Sequence, residues 1–382
     1  MNPHRSDRPK VLFLFSDTGG GHRSAAEAII ESIELLYPDQ IETEMVDFFK
    51  KAPQPLPLAI PTYPAMAKMT AVWETTYKMS NGRRRARFIQ DAFWPYVRRA
   101  AHRLIDDYPV DLFVSVHPVP NMTVLRAMTK KTPYISVVTD LVSTHAMWYD
   151  RRNDLIVVPT EEAWQRGIKL GLKPSQMEVV GLPVADRFCH THGSRQELRT
   201  RLGWPQNHPI VLMVSGGEGM GPMGRTAVAI DKARLPITLI LVTGKNAKLR
   251  EKLESRKWST PVKIFGFVNE MPQFMQASDV LITKAGPGTI SEAFIAGLPI
   301  ILFSRVPGQE EGNVTYVVDH GAGVWAPESD QVIDTLRSWL RNPDIRNQVA
   351  ANSKRLSRPQ ASNRIAQIIA QQVGLVEASQ VD

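Results

Sequence analysis

The sequence is poor in cysteine and has no long apolar run. Its 382 residues include one cysteine, Cys189, so the chain can form no internal disulfide, and this usage favours a reducing compartment. No apolar run is long enough to span a bilayer, and only five apolar residues follow the basic start before Ser16, too few for a secretory signal peptide. These absences predict a cytoplasmic location.

Motifs for two kinds of nucleotide site and for one metal site are weak or missing. G-x-x-x-x-G-K-[ST] does not occur, which excludes a P-loop, and no two aspartates have the Asp-x-Asp spacing that commonly holds a divalent metal ion. Gly219, Gly221 and Gly224 formally match G-x-G-x-x-G, but the next strand lacks the acidic residue that would bind a nicotinamide ribose. We therefore expect neither a metal nor a bound cofactor.

Positive charge is concentrated in one part of the chain. The net charge is +8, and many arginines alternate with aromatic residues between residues 83 and 103, just after an apolar, proline-broken segment at 56–73. Such a patch suits an anionic polymer or an anionic membrane surface, and beside the apolar segment it predicts an interfacial anchor. We expect no nucleic-acid partner. The alternative is a buried helical hairpin with a solvated basic face. The arginines are Arg83, Arg84, Arg85, Arg87, Arg98, Arg99 and Arg103.

Two series of short apolar runs predict two parallel, doubly wound α/β domains. The first series is 11–15, 44–46, 111–116, 134–138 and 155–158, and the second is 210–214, 237–242, 262–265, 280–283 and 300–303. We place the boundary near residue 193, which gives domains over 1–192 and 193–382, the latter with the terminal helices. Ligands of such sheets bind at the carboxyl ends of the strands, and two such domains face to face form a central cleft.

The first glycine-rich turn lies between a strand and a helix, in VLFLFSDTGGGHRSAAEAII. Gly20 and Gly21 let a ligand approach the backbone, and His22 follows at the helix threshold, where the dipole favours its neutral, basic form. Ser24 and Glu27 have capping-box spacing, which predicts a helix that begins near Ser24. The alternative is a tight turn with a solvated histidine.

In the second domain, ITKAGPGTISEAFIAGLP at 282–299 repeats the strand-turn-helix arrangement. If Thr289 opens the helix, the backbone N–H groups of Gly288, Thr289 and Ile290 are free to bind a diphosphate, and Glu292 can accept from ribose hydroxyls. Thr289 and Glu292 could instead form a capping box.

Two further segments of the second domain suit the same ligand. The backbone amides of Gly216, Gly217 and Gly221, in the loop after 210–214, would add diphosphate contacts. An amide–carboxylate–amide group in VPGQEEGNVTYV matches the donors and acceptors of a sugar ring, and it comprises Gln309, Glu310 and Asn313.

Five motifs in order give the sequence a family resemblance. SDTGGGHRSAAEAI, VVTDLVSTHAMWY, GGEGMGP, TKAGPGTISEA and PGQEEGNV resemble the monogalactosyldiacylglycerol synthase and processive diacylglycerol glucosyltransferase group of glycosyltransferase family 28. The likeness covers residues 10–325 and is weakest at 50–110. It extends, more distantly, to the peptidoglycan lipid-intermediate N-acetylglucosaminyltransferase.

The resemblance implies a GT-B fold, with an acceptor- and membrane-binding domain at 1–192 and a UDP-sugar-binding domain at 193–382. His22 falls on the family's catalytic histidine, and Glu292, Gln309 and Glu310 fall on its nucleotide-sugar contacts. The implied reaction is inverting transfer of galactose or glucose from a UDP-hexose to diacylglycerol, at the inner face of the cell membrane. We expect His22 to act as general base with support from Asp17.

Other functions fit parts of the sequence. A different lipid acceptor, such as a polyprenyl-linked intermediate or a preformed glycolipid, is the nearest alternative. A dinucleotide-dependent oxidoreductase and a non-catalytic sugar-nucleotide or membrane-binding protein are the alternatives from other classes. His117 and His145 follow strands, and we expect them to contact the acceptor or a phosphate rather than a metal.

Overall fold

The computed structural model describes residues 8–17, 20–51, 70–129, 131–217, 219 and 221–375. The chain divides into two compact units. The first comprises Met1–Asp186, Pro307–Gln309 and Gln360–Asp382, and the second comprises Arg187–Val306 and Glu310–Pro359.

Strands and helices alternate through most of the chain. The strands are β1 Lys10–Phe15, β2 Glu42–Asp47, β3 Leu112–Ser115, β4 Tyr134–Val137, β5 Leu155–Val158, β6 Met177–Val179, β7 Ile210–Val214, β8 Thr238–Val242, β9 Val262–Phe265, β10 Val280–Lys284, β11 Ile300–Ser304 and β12 Gly323–Trp325. The helices are α1 Gly21–Leu36, α2 Phe48–Lys51, α3 Thr70–Ser80, α4 Arg83–Asp107, α5 Pro118–Ala127, α6 Glu161–Lys169, α7 Asp186–Cys189, α8 Arg195–Arg201, α9 Met223–Lys232, α10 Ala247–Glu254, α11 Met271–Ala277, α12 Pro287–Ala296, α13 Glu311–Asp319, α14 Ser329–Arg341, α15 Pro343–Arg355 and α16 Ala361–Gln372.

Each unit contains a parallel sheet, as the sequence predicts, but each sheet has six strands where the sequence predicts five. The order is β2-β1-β3-β4-β5-β6 in the first unit and β12-β11-β10-β7-β8-β9 in the second. The strand order reverses between β1 and β3 in the first sheet and between β7 and β10 in the second. Ligands of doubly wound sheets bind beyond the carboxyl ends of the strands at such switch points.

Burial on both faces explains the continuous apolar runs. Val11 and Phe13 of β1 pack in one core with α1, while Leu12 and Leu14 pack in another core on the opposite face. Successive strand side chains point to opposite faces, so both must be apolar when helices cover both. The second unit is built in the same way, with Val211 and Met213 of β7 in a core that includes Ile230 of α9 and Leu336 of α14.

The last described helix, α16, packs in the first unit, whereas the sequence analysis placed the terminal helices in the second domain. Ile365 and Ile369 of α16 share a core with Ile29 and Ile33 of α1. All four are fully or almost fully buried. This apolar interface places α16 directly against the helix that carries His22.

The described residues include no helix that is both long enough and apolar enough to cross a membrane. Residues 56–69 of the predicted apolar segment lie outside the described part of the chain.

Candidate functional site

The first glycine-rich turn joins β1 to α1 at the switch point of the first sheet. Gly20 is the N-cap and has a left-handed backbone (φ 75°), which a side chain would strain. The helix begins at Gly21, so the predicted start near Ser24 is wrong. Ser24 lies one turn inside and its hydroxyl donates back to the Gly20 carbonyl at 3.1 Å, so the predicted capping box is absent and His22 lies within the first turn.

Hydrogen bonds of the His22 ring define its tautomer. Nδ1 lies 2.8 Å from the carbonyl oxygen of Val116, just after β3, and 2.8 Å from Oγ1 of Thr139, just after β4. The Thr139 hydroxyl can donate to the same Val116 carbonyl at 3.3 Å. A carbonyl only accepts, so Nδ1 carries the proton, and in the neutral ring Nε2 is the nitrogen that can accept a proton.

Burial lowers the pKa of His22, while the charge of Asp140 and the Val116 carbonyl oppose the shift. The neutral form is therefore favoured, and burial is the largest cause of the shift. The His117 ring packs edge-on against His22 with 4.5 Å between centroids. Burial holds the pKa of His117 well below its usual value, and proximity to His22 lowers it further.

His117 has a structural role of its own, since its Nδ1 accepts from the backbone N–H of Val119 at 3.2 Å and caps α5. The neutral ring must then carry its proton on Nε2.

Asp140 is a buried carboxylate that sequence reasoning overlooked. Its Oδ2 accepts from the indole N–H of Trp148 at 2.7 Å, and its Oδ1 accepts from the Gln309 side-chain amide at 3.3 Å, all within the first unit. The other amide atom of Gln309, Oε1, is buried without a hydrogen-bond partner among the described residues. A position three residues after β4, at the carboxyl end of a central strand, is the signal that could have identified Asp140.

Asp17 is engaged by two cations. Arg23 donates to it through Nε at 2.5 Å and Nη2 at 2.8 Å, and Lys50 Nζ lies 3.0 Å from Oδ2. The Arg23 hydrogen bonds, with those of Lys50, lower the pKa of Asp17 to about 2 against the opposing effect of burial. The carboxylate whose charge raises the pKa of His22 is Asp140 and not Asp17. Support of His22 by Asp17 stays a prediction.

His145 packs against α3. Its Nδ1 accepts from the Met147 amide at 3.2 Å, its Nε2 lies 3.1 Å from the Ser80 hydroxyl, and the Tyr77 ring packs edge-on against it. Burial and the nearby Arg166 lower the pKa of His145 to about 4. These contacts fasten α3 to the segment after β4.

In the second unit, the loop after β7 approaches the end of β8. A Cβ on Gly219, whose φ is 59°, would lie 2.3 Å from the Thr243 carbonyl oxygen, so this position accepts only glycine. The carbonyl of Gly217 accepts from the backbone N–H of Lys245 at 2.8 Å. The loop that carries Gly216, Gly217 and Gly221 is thereby held at the switch point.

Helix α12 begins earlier than predicted. Its N-cap is Gly286 and its first residue is Pro287, so Thr289 neither opens nor caps it, and the capping-box alternative is excluded. The N–H of Ile290 donates to the Gly286 carbonyl at 3.1 Å and is not free, contrary to the prediction. Gly288 and Thr289 lie in the first turn, whose N–H groups have no partner within a helix.

Glu292 is half-buried one turn into α12. Burial raises its pKa to about 7, and Arg187 opposes this shift. The carboxyl therefore changes charge near neutral pH.

The predicted sugar-binding residues are held by internal contacts. Glu310 is buried, and its Oε1 lies 2.6 Å from Nζ of Lys284 while its Oε2 accepts from the Val306 amide at 2.7 Å. The Asn313 side chain donates to the Ala285 carbonyl at 2.9 Å. These bonds join the start of α13 to the end of β10. Sequence reasoning overlooked Lys284, although it stands between a strand and a glycine-proline turn.

The arginine-rich stretch forms α4. All of its arginines are exposed, while Ala86, Val97, Ala101 and Leu104 provide its buried face. Two large apolar side chains on the same helix point to solvent, with Phe88 74% and Phe93 53% exposed. This helix therefore presents two aromatic rings and several arginines to solvent.

Within the described ranges, no three or more histidine, cysteine, aspartate or glutamate side chains are grouped so that they could hold a metal ion. Metal independence stays a prediction.

Comparisons with known proteins agree with this architecture. A profile described as monogalactosyldiacylglycerol synthase matches residues 22–184, and one described as the glycosyltransferase family 28 C-terminal domain matches 223–371. Chloroplastic monogalactosyldiacylglycerol synthase 3 of Arabidopsis thaliana is 37% identical over 365 residues, 92% of this chain and 78% of that protein.

Two similar solved structures have little sequence identity to this chain. Acinetobacter baumannii MurG has a TM-score of 0.61 at 14% identity, over 95% of this chain and 99% of that one. Staphylococcus aureus MnaA, solved with UDP, has a TM-score of 0.63 at 15% identity, over 96% and 98%. These likenesses confirm the predicted GT-B fold.

Proposed function

The chain belongs to the monogalactosyldiacylglycerol synthase family of glycosyltransferases, and we propose that it transfers a hexose from a UDP-sugar to the free hydroxyl of diacylglycerol with inversion. The names of its relatives favour galactose over glucose and diacylglycerol over other lipid acceptors. The observation that carries the proposal is His22, with Nδ1 bonded to the Val116 carbonyl and Nε2 left to accept a proton.

The proposed reaction is a single displacement. His22 Nε2 takes the proton of the acceptor hydroxyl as its oxygen attacks the anomeric carbon, and the bond from that carbon to the UDP oxygen breaks. The ring then becomes an imidazolium, which the Val116 carbonyl and the charge of Asp140 stabilise. General-base help gives about 10²–10⁴-fold, so positioning and electrostatics must supply most of the acceleration.

All but one of the donor contacts in this proposal come from the second unit, the exception being Gln309. The amides of Gly288 and Thr289, with those of Gly216, Gly217 and Gly221, would bind the diphosphate. Glu292 would accept from the ribose hydroxyls, and Gln309, Glu310 and Asn313 would hold the hexose. The charge of the UDP leaving group is thus countered by protein dipoles, and no bound metal is proposed.

We also propose that α4 binds an anionic membrane, at the inner face of the cell membrane. The exposed arginines would attract the lipid phosphates, and Phe88 and Phe93 would enter the interface. The enzyme would thereby meet an acceptor that is confined to the bilayer.

The test incubates purified protein and diacylglycerol vesicles with UDP-galactose or UDP-glucose, and the lipid product is analysed by mass and by anomeric linkage. We expect a β-linked hexosyl diacylglycerol, with galactose favoured. His22→Ala should lower turnover by roughly 10²-fold or more and leave UDP affinity nearly unchanged, because the base acts on the acceptor. His208→Ala, at an exposed histidine, is the matched control. Full turnover by His22→Ala, or an α-linked product, would refute the mechanism.

A further inference from the structure

Lys284 lies where the two predicted phosphate-binding elements of the second unit converge. It ends β10, next to β7 at the switch point, and the register against β11 shifts between Thr283 and Lys284. A Cβ on Gly216 would lie 3.2 Å from Lys284 Cε, and a Cβ on Gly286 would lie 3.0 Å from Nζ. The ammonium group is therefore close to both the glycine turn after β7 and the N-cap of α12.

A buried hydroxyl next to the glycine turn supports a polar ligand there. Ser215 follows β7 and directly precedes Gly216, the residue closest to Lys284 in this turn. Its side chain is fully buried, and its oxygen has no hydrogen-bond partner among the described residues. Buried polar atoms without partners are uncommon and often mark a site for a ligand or water.

The charge of Lys284 is countered by Glu310. Their side chains are only 18% and 6% exposed, and the atoms lie 2.6 Å apart. Glu310 is also the carboxylate assigned to the hexose. A diphosphate bound at this place would compete with Glu310 for the ammonium, because both are anions.

We propose that Lys284 binds the diphosphate of the donor, and that the diphosphate displaces Glu310 from Lys284 so that Glu310 Oε1 can accept a hydroxyl of the hexose. The inference rests on the proposed UDP-hexose donor. It makes Lys284 the side-chain cation for the leaving group, and it makes sugar recognition by Glu310 conditional on an occupied diphosphate site.

The proposed exchange predicts that substitutions of Lys284 and of Glu310 change UDP affinity in opposite directions. Lys284→Met should weaken UDP by roughly 10- to 100-fold, which is typical of a lost charge-assisted hydrogen bond to phosphate, and should weaken UMP much less. Glu310→Gln removes the competing anion with little change in shape. It should strengthen UDP by a few-fold while it removes most of the affinity gained from the hexose.

Calorimetric titration of UMP, UDP and UDP-galactose into the full-length protein tests this, with the exposed Lys252→Met as the matched control that keeps UDP binding. UMP affinity and thermal unfolding show whether each variant retains a folded site. If wild type binds UDP but Lys284→Met and Glu310→Gln bind it equally well, the ion pair is structural and the inference is overturned. If wild type binds no UDP, the proposed donor itself is refuted.

Discussion

Replacement of Asp140 by asparagine should change both the rate and the pH dependence of transfer. The substitution keeps the shape of the side chain, and the new amide can still accept from Trp148 through its oxygen. Its NH₂ group replaces the oxygen that accepts from the Gln309 amide, and a flip of that amide presents Oε1, which has no partner among the described residues, to the new donor. The variant therefore removes a charge from the surroundings of His22 with little effect on packing.

The magnitude follows from the effect of Asp140 on the His22 ring. An opposite charge nearby typically raises a histidine pKa by about one unit or more, which is roughly 1.4 kcal/mol and a factor of ten. Without that charge, His22 becomes a weaker base and its imidazolium is less stabilised. We expect the plateau of kcat to fall by about tenfold or more. The acid limb should move to lower pH, because His22 then stays neutral to lower pH.

The assay is kcat against pH at saturating UDP-hexose, where donor binding no longer contributes. Asp17→Asn is the matched comparison, since Asp17 is paired with Arg23 and Lys50. If Asp17→Asn shifts the acid limb and Asp140→Asn does not, the sequence-based support of His22 by Asp17 is correct and our reading of Asp140 fails. If Asp140→Asn lowers the plateau of kcat but leaves the acid limb of the pH profile unshifted, Asp140 has only a structural role.

Four other outcomes are expected. Glu292 has a pKa of about 7 and must be ionised to accept two ribose hydroxyls. UDP affinity, measured by calorimetry, should therefore fall roughly tenfold from pH 8 to pH 6. The Glu292→Gln variant should show no such fall. Replacing Arg83, Arg84, Arg85 and Arg87 by serine should weaken the affinity for anionic vesicles, measured by sedimentation, by about two to three orders of magnitude. The same change at four other exposed arginines, Arg225, Arg337, Arg341 and Arg355, should not. An equal loss of affinity in both variants would indicate a general charge effect. Ile365→Ala should lower the free energy of unfolding, measured by urea titration, by about 2–5 kcal/mol. The same substitution at the exposed Ile345 should lower it by less than about 1 kcal/mol. Similar losses in the two variants would contradict the packing of α16. EDTA should leave turnover largely intact, and rescue of a lost activity by a divalent ion would refute metal independence.

Most of the fold could be predicted from the sequence because strands buried on both faces are continuous apolar runs. The exceptions are β6 and β12, edge strands of three residues that carry too little pattern to identify. The starts of α1 and α12 were misplaced because glycine caps both, whereas S-x-x-E and T-x-x-E spacing indicated later starts.

The candidate site was predictable only in part. Glycine turns and His22 stand together in the sequence, so they could be identified locally. Asp140 and Lys284 could not, because the importance of each depends on strands that are distant in sequence and adjacent in the sheet. The ion pair of Lys284 with Glu310 links residues 26 positions apart. The packing of α16 on α1 was missed for the same reason.

That packing has a consequence for how the protein is made. Helix α16 leaves the ribosome only after the whole of the second unit has been synthesised, yet it completes the core beneath α1. During translation, Ile29 and Ile33 of α1 must therefore wait for Ile365 and Ile369 while the second unit already has all of its own strands. The nascent first unit would therefore expose this apolar face of the histidine-bearing helix until α16 is released, and transiently exposed apolar surface is prone to aggregation.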